Sequence, residues 1–477
     1  MSRNIPNPKA NKSILIVIYS MIFLFVGMLG YFGWFLQVKS EDTINNSYNA
    51  RLDHFEQRIV RGEILGHDGR VLAQTIVSDD GSERRNYPYD SLFAHVVGYS
   101  TQGKTGIEAL GNYYLLSSHV NLAEKTINEI SGIKNPGDRI ITTLDVDLQQ
   151  TAADALGGRK GAVVVMEPDT GKVLAMVSNP GFNPNTIQAD WEALIAADNK
   201  EAQLLNRAAQ GVYPPGSTFK IITALQYIRE HPDDYQDYTF DCSGVYEYEG
   251  YRIRCFKSTA HGHQNLTQAF ANSCNGAFSN LGLTLDAGKM NSLAGELLFN
   301  TELPLAIAYS KSSYNMDKGA DTWEVLQTSI GQGTTQMSPI HNAMLTAAIA
   351  NGGTLMKPYF IDRVESVADE EVKKFLPEAY GNILTAQEAQ LLSALMRSVV
   401  TEGTGSAVRT DAYTVAAKTG SAEFETGKET HAWFTGYAPA ENPQLVVTVI
   451  VEESGSGGQV AAPVARSIFD RYFAGGS

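Results

Sequence analysis

The segment Ser217-Thr218-Phe219-Lys220 sets a hydroxyl and an amine three positions apart, and that pair suits one kind of chemistry. A serine becomes a nucleophile when a nearby base takes its proton, and a lysine is such a base only when neutral. Plotted at about 100° per residue, the apolar residues Ile221, Ala224, Leu225 and Ile228 fall within about 80° of Ser217. Lys220 lies about 60° to the other side, on the same face. Burial beside such a stripe disfavours an ammonium ion, each pKa unit reflecting about 1.4 kcal/mol. A capping serine followed by a snorkelling lysine would give the same letters. The spacing does recur in Ser131-Gly132-Ile133-Lys134, but there Asn135-Pro136-Gly137 leaves no room for a helix.

Two further motifs follow in the chain. Ser273-Cys274-Asn275 comes after a helical stretch, Leu266 to Asn272, and Lys418-Thr419-Gly420-Ser421 comes after a β-rich run, Tyr413 to Ala417. Each supplies something an acyl transfer needs: a second hydroxyl to relay a proton to the leaving amine, an amide to hold a substrate backbone, and a cation for a terminal carboxylate. Backbone N–H groups of Ser217 and Ser421 are the expected oxyanion hole, typically worth about 2.7 to 4 kcal/mol per donor. Chance matches exist in Ser47-Tyr48-Asn49, Ser313-Tyr314-Asn315 and Lys104-Thr105-Gly106. Only the downstream set combines helix, helical loop and strand edge in this order.

These motifs need a scaffold. Asp145 is placed to cap a helix running to Leu156 and ended by Gly157-Gly158. Lys160 to Glu167 and Lys172 to Ser178 read as a hairpin closed by Pro168-Asp169-Thr170-Gly171. Further strands are expected at Ala432 to Tyr437 and Leu445 to Val451, with a closing helix from Pro463 to Phe473. Between lies a long, mainly helical insertion that includes Met344 to Ala350 and Ala386 to Val400. A sheet whose early and late strands flank a helical subdomain is an α+β plan. Residues 37–140 read as a small polar, irregular spacer before a catalytic stretch at 141–477.

Ile14 to Leu36 carries no charge over 23 residues, about 34 Å as a helix and enough for a bilayer core of about 30 Å. The run is longer than a signal peptide's apolar region and lacks a small-residue cleavage site. Arg3, Lys9 and Lys12 precede it, so residues 1–13 are expected in the cytoplasm, 14–36 in the membrane as a single pass, and the rest outside. A net charge of −15 excludes a nucleic-acid surface built on clustered Lys and Arg. The 477 residues, 43% of them hydrophobic and 19% charged, describe a globular chain of more than one domain.

The three motifs together resemble those of the penicillin-binding protein and serine β-lactamase superfamily. The likeness extends to Asn206-Arg207, Tyr213-Pro214-Pro215-Gly216 before the nucleophile, Gly331-Gln332-Gly333 with Ser338-Pro339, Gly352-Gly353 with Lys357-Pro358, and His431-Ala432-Trp433-Phe434. It is that of the transpeptidase domain of class B penicillin-binding proteins, from about Thr143 onward. Arg61-Gly62-Glu63-Ile64 and Gly103-Lys104-Thr105-Gly106-Ile107-Glu108 resemble the pedestal motifs of the same class, in a short pedestal like that of compact PbpA-type members. Gly66-His67 stands where the family often has Asp-Arg.

The resemblance implies the penicillin-binding transpeptidase fold and a peptidoglycan D,D-transpeptidase acting on stem peptides. Ser217 would be the nucleophile, Lys220 the base, Ser273 the relay and Asn275 the substrate clamp. Lys418 and Thr419, beside Gly420 and Ser421, would hold the substrate carboxylate. β-Lactams would acylate Ser217. With nothing like a glycosyltransferase domain before the pedestal, a SEDS-type membrane polymerase is the implied partner. A D,D-carboxypeptidase and a membrane-bound β-lactam sensor share these motifs, whereas a class A β-lactamase needs a deacylating glutamate on a loop not identified here. Cys242 and Cys255 are expected to form a disulfide outside the cytoplasm or to remain free thiols. The three cysteines lack CxxC spacing, so no metal is expected, and no cofactor.

Overall fold

The computed structural model describes residues 8–38, 56–196, 198–316, 319–425 and 427–475. Parts of the expected cytoplasmic tail (1–7) and of the spacer (39–55, with Ser47-Tyr48-Asn49) lie outside them. The catalytic half is built on a five-stranded antiparallel sheet in the spatial order Ala416–Ala422, His431–Ala438, Leu445–Val451, Gly161–Met166, Val173–Asn179. Its inner strands are apolar without alternation. Leu445–Val451 is buried at every position, because both faces of the sheet are covered. Trp433, Tyr437, Val446 and Ile450 pack with the helix Pro339–Ala350 on one side. On the other, Phe434, Val447 and Val449 pack with Leu148, Ala152, Ile468 and Phe469 of the helices Val146–Leu156 and Ala461–Gly475.

Local signals explain these boundaries. The Asp145 carboxylate accepts from the Asp147 and Leu148 N–H groups, and Gly157 ends the helix at φ 64°, a conformation that favours glycine. A capping box of Thr385 and Glu388 opens the helix Ala386–Thr401, which packs against the edge strand Ala416–Ala422. The long insertion is less purely helical than expected. Strands Thr239–Cys242 and Gly262–Asn265 pair, as do Val245–Tyr248 and Tyr251–Arg254. The turn of the second pair is Glu249-Gly250, both at positive φ, a tight hairpin connection.

The region read as an irregular spacer holds a six-stranded sheet, in the order Glu371–Lys374, Ile361–Glu365, Arg139–Thr142, Ile64–Leu65, Val71–Val77, Glu83–Asn86. Two of these strands come from the stretch assigned to the catalytic half, so the sheet crosses the expected boundary at residue 140. The two pedestal motifs meet on a buried carboxylate. Glu108 accepts from Arg61 Nε at 2.6 Å and from Arg85 Nε at 2.7 Å, and Arg61 also reaches Asn112 and the Glu108 carbonyl. Burial alone would raise this carboxyl, but the two guanidinium groups hold it at about 2. The helix Pro8–Val38 contains Ile14–Phe35, long and apolar enough to cross a membrane and unburied by the rest of the chain. Membrane anchors and signal sequences share that property.

Replacing one partner of a buried ion pair leaves the others uncompensated, at about 3–5 kcal/mol. Glu108→Gln is expected to lower stability by that order in chemical denaturation. In the unmodified protein this contribution is fully present above the ordinary carboxylate pKa of about 4.3 and is lost as pH falls through about 2.

Candidate active site

Ser217 sits in a 3₁₀ turn, Gly216–Phe219, and Lys220 begins the α-helix Lys220–Glu230. In a 3₁₀ turn residues i and i+3 eclipse, so the two side chains align more closely than an α-helical projection suggests. The turn is tightly seated. Gly216 N donates to Gly331 O at 2.8 Å, Trp433 Nε1 donates to Pro214 O at 3.0 Å, and Tyr213 exchanges backbone hydrogen bonds with Met337. Thr218 Oγ1 donates to Pro215 O at 2.8 Å. Gly216 itself is at φ 51°, and a Cβ there would stand 3.0 Å from Ala422 Cβ and 3.1 Å from Ser421 O. The Ser217 turn therefore lies directly against the strand that carries the third motif. Asn206-Arg207 supports it from behind: Arg207 Nε and Tyr213 OH both donate to Glu452 Oε1 at 2.8 Å.

The second motif is held between two helices. Leu266–Ala271 opens with a capping box of Asn265 and Gln268, and Asn275–Thr284 is capped by Cys274, whose Sγ accepts from Ala277 N. Ser273 turns the chain between them at φ 55°, a left-handed conformation costly for a residue with a Cβ. That conformation aims Ser273 at two lysines. Lys220 Nζ donates to Ser273 O at 2.7 Å, Asn275 Oδ1 at 2.7 Å and Ser273 Oγ at 3.3 Å. Lys418 Nζ donates to Ser273 Oγ at 2.9 Å and to Thr419 O at 3.1 Å.

Both lysines are 0% exposed. Desolvation brings Lys220 down to about 8. Lys418 is pushed well below the ordinary lysine range, first by desolvation and then by repulsion from Lys220. Phe278 lies 5.5 Å from Lys220 Nζ and Phe270 5.4 Å from Lys418 Nζ, contacts that offset part of the cost of a buried charge. Asn275 is fixed from its other end, with Nδ2 donating to Arg254 O at 2.8 Å.

The third motif lies within the strand Ala416–Ala422, not after it. Lys418 pairs with Thr435 and Gly420 with Trp433, on an edge strand with one neighbour. Above the lysines opens a cleft of ≈ 740 Å³ whose walls include Ser217, Ser273, Asn275, Thr419, Gly420 and Ser421. Sequence reasoning missed the Thr401-Glu402-Gly403-Thr404 loop. Thr404 Oγ1 is 2.6 Å from Thr419 Oγ1, and Thr404 N donates to Ala271 O at 3.2 Å, so this loop ties the helix that leads into the second motif to the third motif. Its glycine after a helix was the only signal.

Of the two outcomes expected for Cys242 and Cys255, the structure has the free thiols. Cys242 and Cys255 are free, with Sγ atoms 3.7 Å apart, far beyond a disulfide bond of about 2.05 Å. Cys274 Sγ lies 3.7 Å from Cys255 Sγ, and His261 Nδ1 lies 3.4 Å from Cys242 Sγ. The linear spacing that argued against a ligand cluster thus gives way to one assembled by the fold, and His261 was not singled out at all.

A serine on a rigid turn, two buried amines sharing a second serine, and an open strand edge define an active-serine acyltransferase site. Residues 161–470 match the family model of the penicillin binding protein transpeptidase domain, and residues 61–140 that of the penicillin binding protein A dimerisation domain. The chain belongs to the penicillin-binding protein transpeptidase family. It is similar to the peptidoglycan D,D-transpeptidase PbpA of Mycolicibacterium smegmatis, 33% identical over 87% of this chain and 89% of that one. PbpA of Mycobacterium tuberculosis is 30% identical over 89% of this chain and 91% of its own. Among solved structures, a D,D-transpeptidase domain from Eggerthella lenta superposes with TM-score 0.79 at 32% identity, covering 88% of this chain and 99% of its own. Penicillin-binding protein A of M. tuberculosis as an imipenem acyl-enzyme complex gives TM-score 0.79 at 29% identity, with the same coverage.

Gly331 is the point where the Ser217 turn can be moved from outside the cleft. It sits at φ 73°, and a Cβ there would fall 2.1 Å from Gly216 O. Gly331→Ala is expected to slow acylation of Ser217 by labelled penicillin by about tenfold or more, the order that a small misplacement of reacting groups costs. Rapid-quench labelling checks this.

Proposed function

We propose that this chain is a membrane-anchored D,D-transpeptidase that cross-links peptidoglycan stem peptides through an acyl-enzyme on Ser217. The observation that carries the reading is that Lys220, one 3₁₀ turn along the chain from Ser217, and Lys418 both donate to the Ser273 hydroxyl. In the reaction Ser217 Oγ attacks the carbonyl carbon of the penultimate D-alanine, and its proton passes to neutral Lys220. The oxyanion is met by the backbone N–H groups of Ser217 and Ser421. Collapse breaks the peptide bond, and the departing D-alanine amine receives the proton by way of Ser273. Asn275 holds the substrate backbone, while Lys418 and Thr419, beside Gly420 and Ser421, receive its terminal carboxylate. The amine of a second stem peptide then attacks the ester and frees Ser217.

β-Lactams enter the same path, their ring carbonyl taking the place of the D-alanyl carbonyl; the M. tuberculosis relative has been solved as an imipenem acyl-enzyme complex. The helix Pro8–Val38 anchors the chain in the bacterial membrane as a single pass, with the N-terminus in the cytoplasm and the catalytic half outside. A SEDS-type glycosyltransferase engaged through anchor and pedestal would supply the glycan strands.

Incubation of the full chain with lipid-linked peptidoglycan polymer, followed by mass spectrometry of the muropeptides, is expected to yield cross-linked dimers with wild type and none with Ser217→Ala. Trimmed tetrapeptides alone would overturn transpeptidation. The lysine adds a pH test. With Lys220 at about 8, about a tenth is neutral at pH 7, so the penicillin labelling rate should rise through pH 8 and level off above it. The apparent pKa belongs to the coupled Lys220 and Lys418 pair. Lys220→Arg keeps a cation that does not deprotonate, and is expected to lower the rate by about 10²–10⁴ without that rise.

A further inference from the structure

The helix Leu122–Ile130 of the pedestal stands clear of the fold that carries it. The Asn121 side chain caps it, accepting from Glu124 N, and among the described residues nothing buries any part of it. It is tied down on one side, where Asn128 Nδ2 donates to Asn135 Oδ1 at 3.0 Å. At about 100° per residue, Thr126 and Ile130 lie about 160° from Asn128, Ala123 about 140°, Leu122 about 120° and Ile127 about 100°. The apolar arc is therefore turned outward. Leu122 is 80% exposed, Ile127 63% and Ile130 82%, with Ile133, just beyond the helix, 61% exposed. Large apolar side chains gathered in one segment at this exposure mark an interaction surface.

The course of the chain says what covers it. Lys134 Nζ donates to Glu56 O at 2.8 Å, Ile59–Val60 pairs with Asn135–Pro136, and Gln57 and Arg58 share a small cleft with Gly132 and Ile133. The polypeptide arriving from the apolar helix Pro8–Val38 thus enters the pedestal beside the exposed isoleucines. Residues 39–55 lie outside the described residues; fully extended, a connection of that length reaches about 60 Å. A bilayer crossed by Pro8–Val38 is always within that span. We propose that the helix Leu122–Ile130 lies flat in the outer surface of this bilayer, with Leu122, Ile127, Ile130 and Ile133 among the lipid chains, as a second membrane contact. The inference rests on the reading of Pro8–Val38 as a membrane anchor.

The helix has the make-up of an interfacial one. A pronounced apolar arc is combined with a polar remainder and little net hydrophobicity. Its 9 residues cover about 14 Å, too short to cross a hydrocarbon core of about 30 Å. Glu124 and Glu129 balance Lys125 and Lys134, and Lys134 is already paired with Glu83 at 2.8 Å. Attraction to anionic headgroups is therefore not what holds the helix. Burial of apolar side chains is, at a depth of about 5–10 Å. A lipid surface conforms to a lone convex helix, and the anchor keeps one at hand. Two points of attachment then fix which side of the pedestal faces the membrane.

The test places a nitroxide on Ile130→Cys or, on the other side of the helix, on Lys125→Cys. The full chain is reconstituted in vesicles of phosphatidylcholine with or without phosphatidylglycerol. The native cysteines are buried, which confines the label to the new site, and both positions are exposed, so an unchanged melting temperature is expected. In power saturation, the Ile130 nitroxide is expected to be relaxed more by oxygen than by a water-soluble nickel chelate, and the Lys125 nitroxide the reverse. The result should be the same with and without phosphatidylglycerol and at low or high salt. Adding Ile127→Asp is expected to return the Ile130 nitroxide to water.

An Ile130 nitroxide as open to the chelate as the one at Lys125 would overturn the contact. So would protection from both reagents or spin–spin broadening, the marks of a protein partner or a second copy. Contact that requires phosphatidylglycerol or low salt would overturn it as well. Protein washed off the vesicles by alkaline carbonate would sink the anchor reading and this inference with it. Protein retained on the vesicles with its Ile130 nitroxide in water would sink this inference alone.

Discussion

Two lysine side chains buried around one serine hydroxyl set the terms for the rest of this active site. An ammonium removed from water carries a penalty of several kcal/mol, and a second one beside it adds repulsion, as the downward shift of Lys418 by burial and by Lys220 records. The pair is therefore most stable sharing fewer than two extra protons. The surrounding structure makes that tolerable through Ser273 O, Asn275 Oδ1 and Thr419 O, which accept from the amines, and through Phe270 and Phe278, which face them. The left-handed turn at Ser273 follows from this need, since it brings the hydroxyl and the carbonyl of one residue to the same lysine. The tight seating of Gly216 against Ser421 and of Gly331 against Gly216 then delivers Ser217 to the cleft above those amines.

Much of this was legible in the residues. The helix from Asp145 to Gly157 carries its start and stop signals in its ends, and the Pro168-Asp169-Thr170-Gly171 turn announces its hairpin. Ser217 and Lys220 could be placed on one face because the apolar stripe beside them is local. The strand around Lys418 was displaced by a few residues, since Gly420 and Ser421 have little β-propensity and are strand only because Trp433 and Ala432 pair with them. Tertiary pairing overrode local preference.

What sequence reasoning did not reach was non-local. The pedestal sheet was invisible because Ile64–Leu65 is two residues long and because two strands arrive from 361–374. The ligand cluster was invisible because its sulfurs are separated by 13 and 19 positions, without the paired spacing that marks a single zinc knuckle. The Thr404 loop gave a turn signal but no hint of its target. In each case the local letters were unremarkable, and the meaning came from what the chain folds against.

The sheet shared between the two halves has a bearing on how the protein is made. Arg139 Nη2 donates to the carbonyl of Ser366, 227 positions later, and Ile140 pairs with Val364. A chain emerging N-terminus first must hold Arg139–Thr142 with an open edge until most of the catalytic half has followed. Such late-closing contacts slow folding and leave strand edges exposed in the meantime. The sheet to which Arg139–Thr142 belongs is thus begun early in synthesis and completed late.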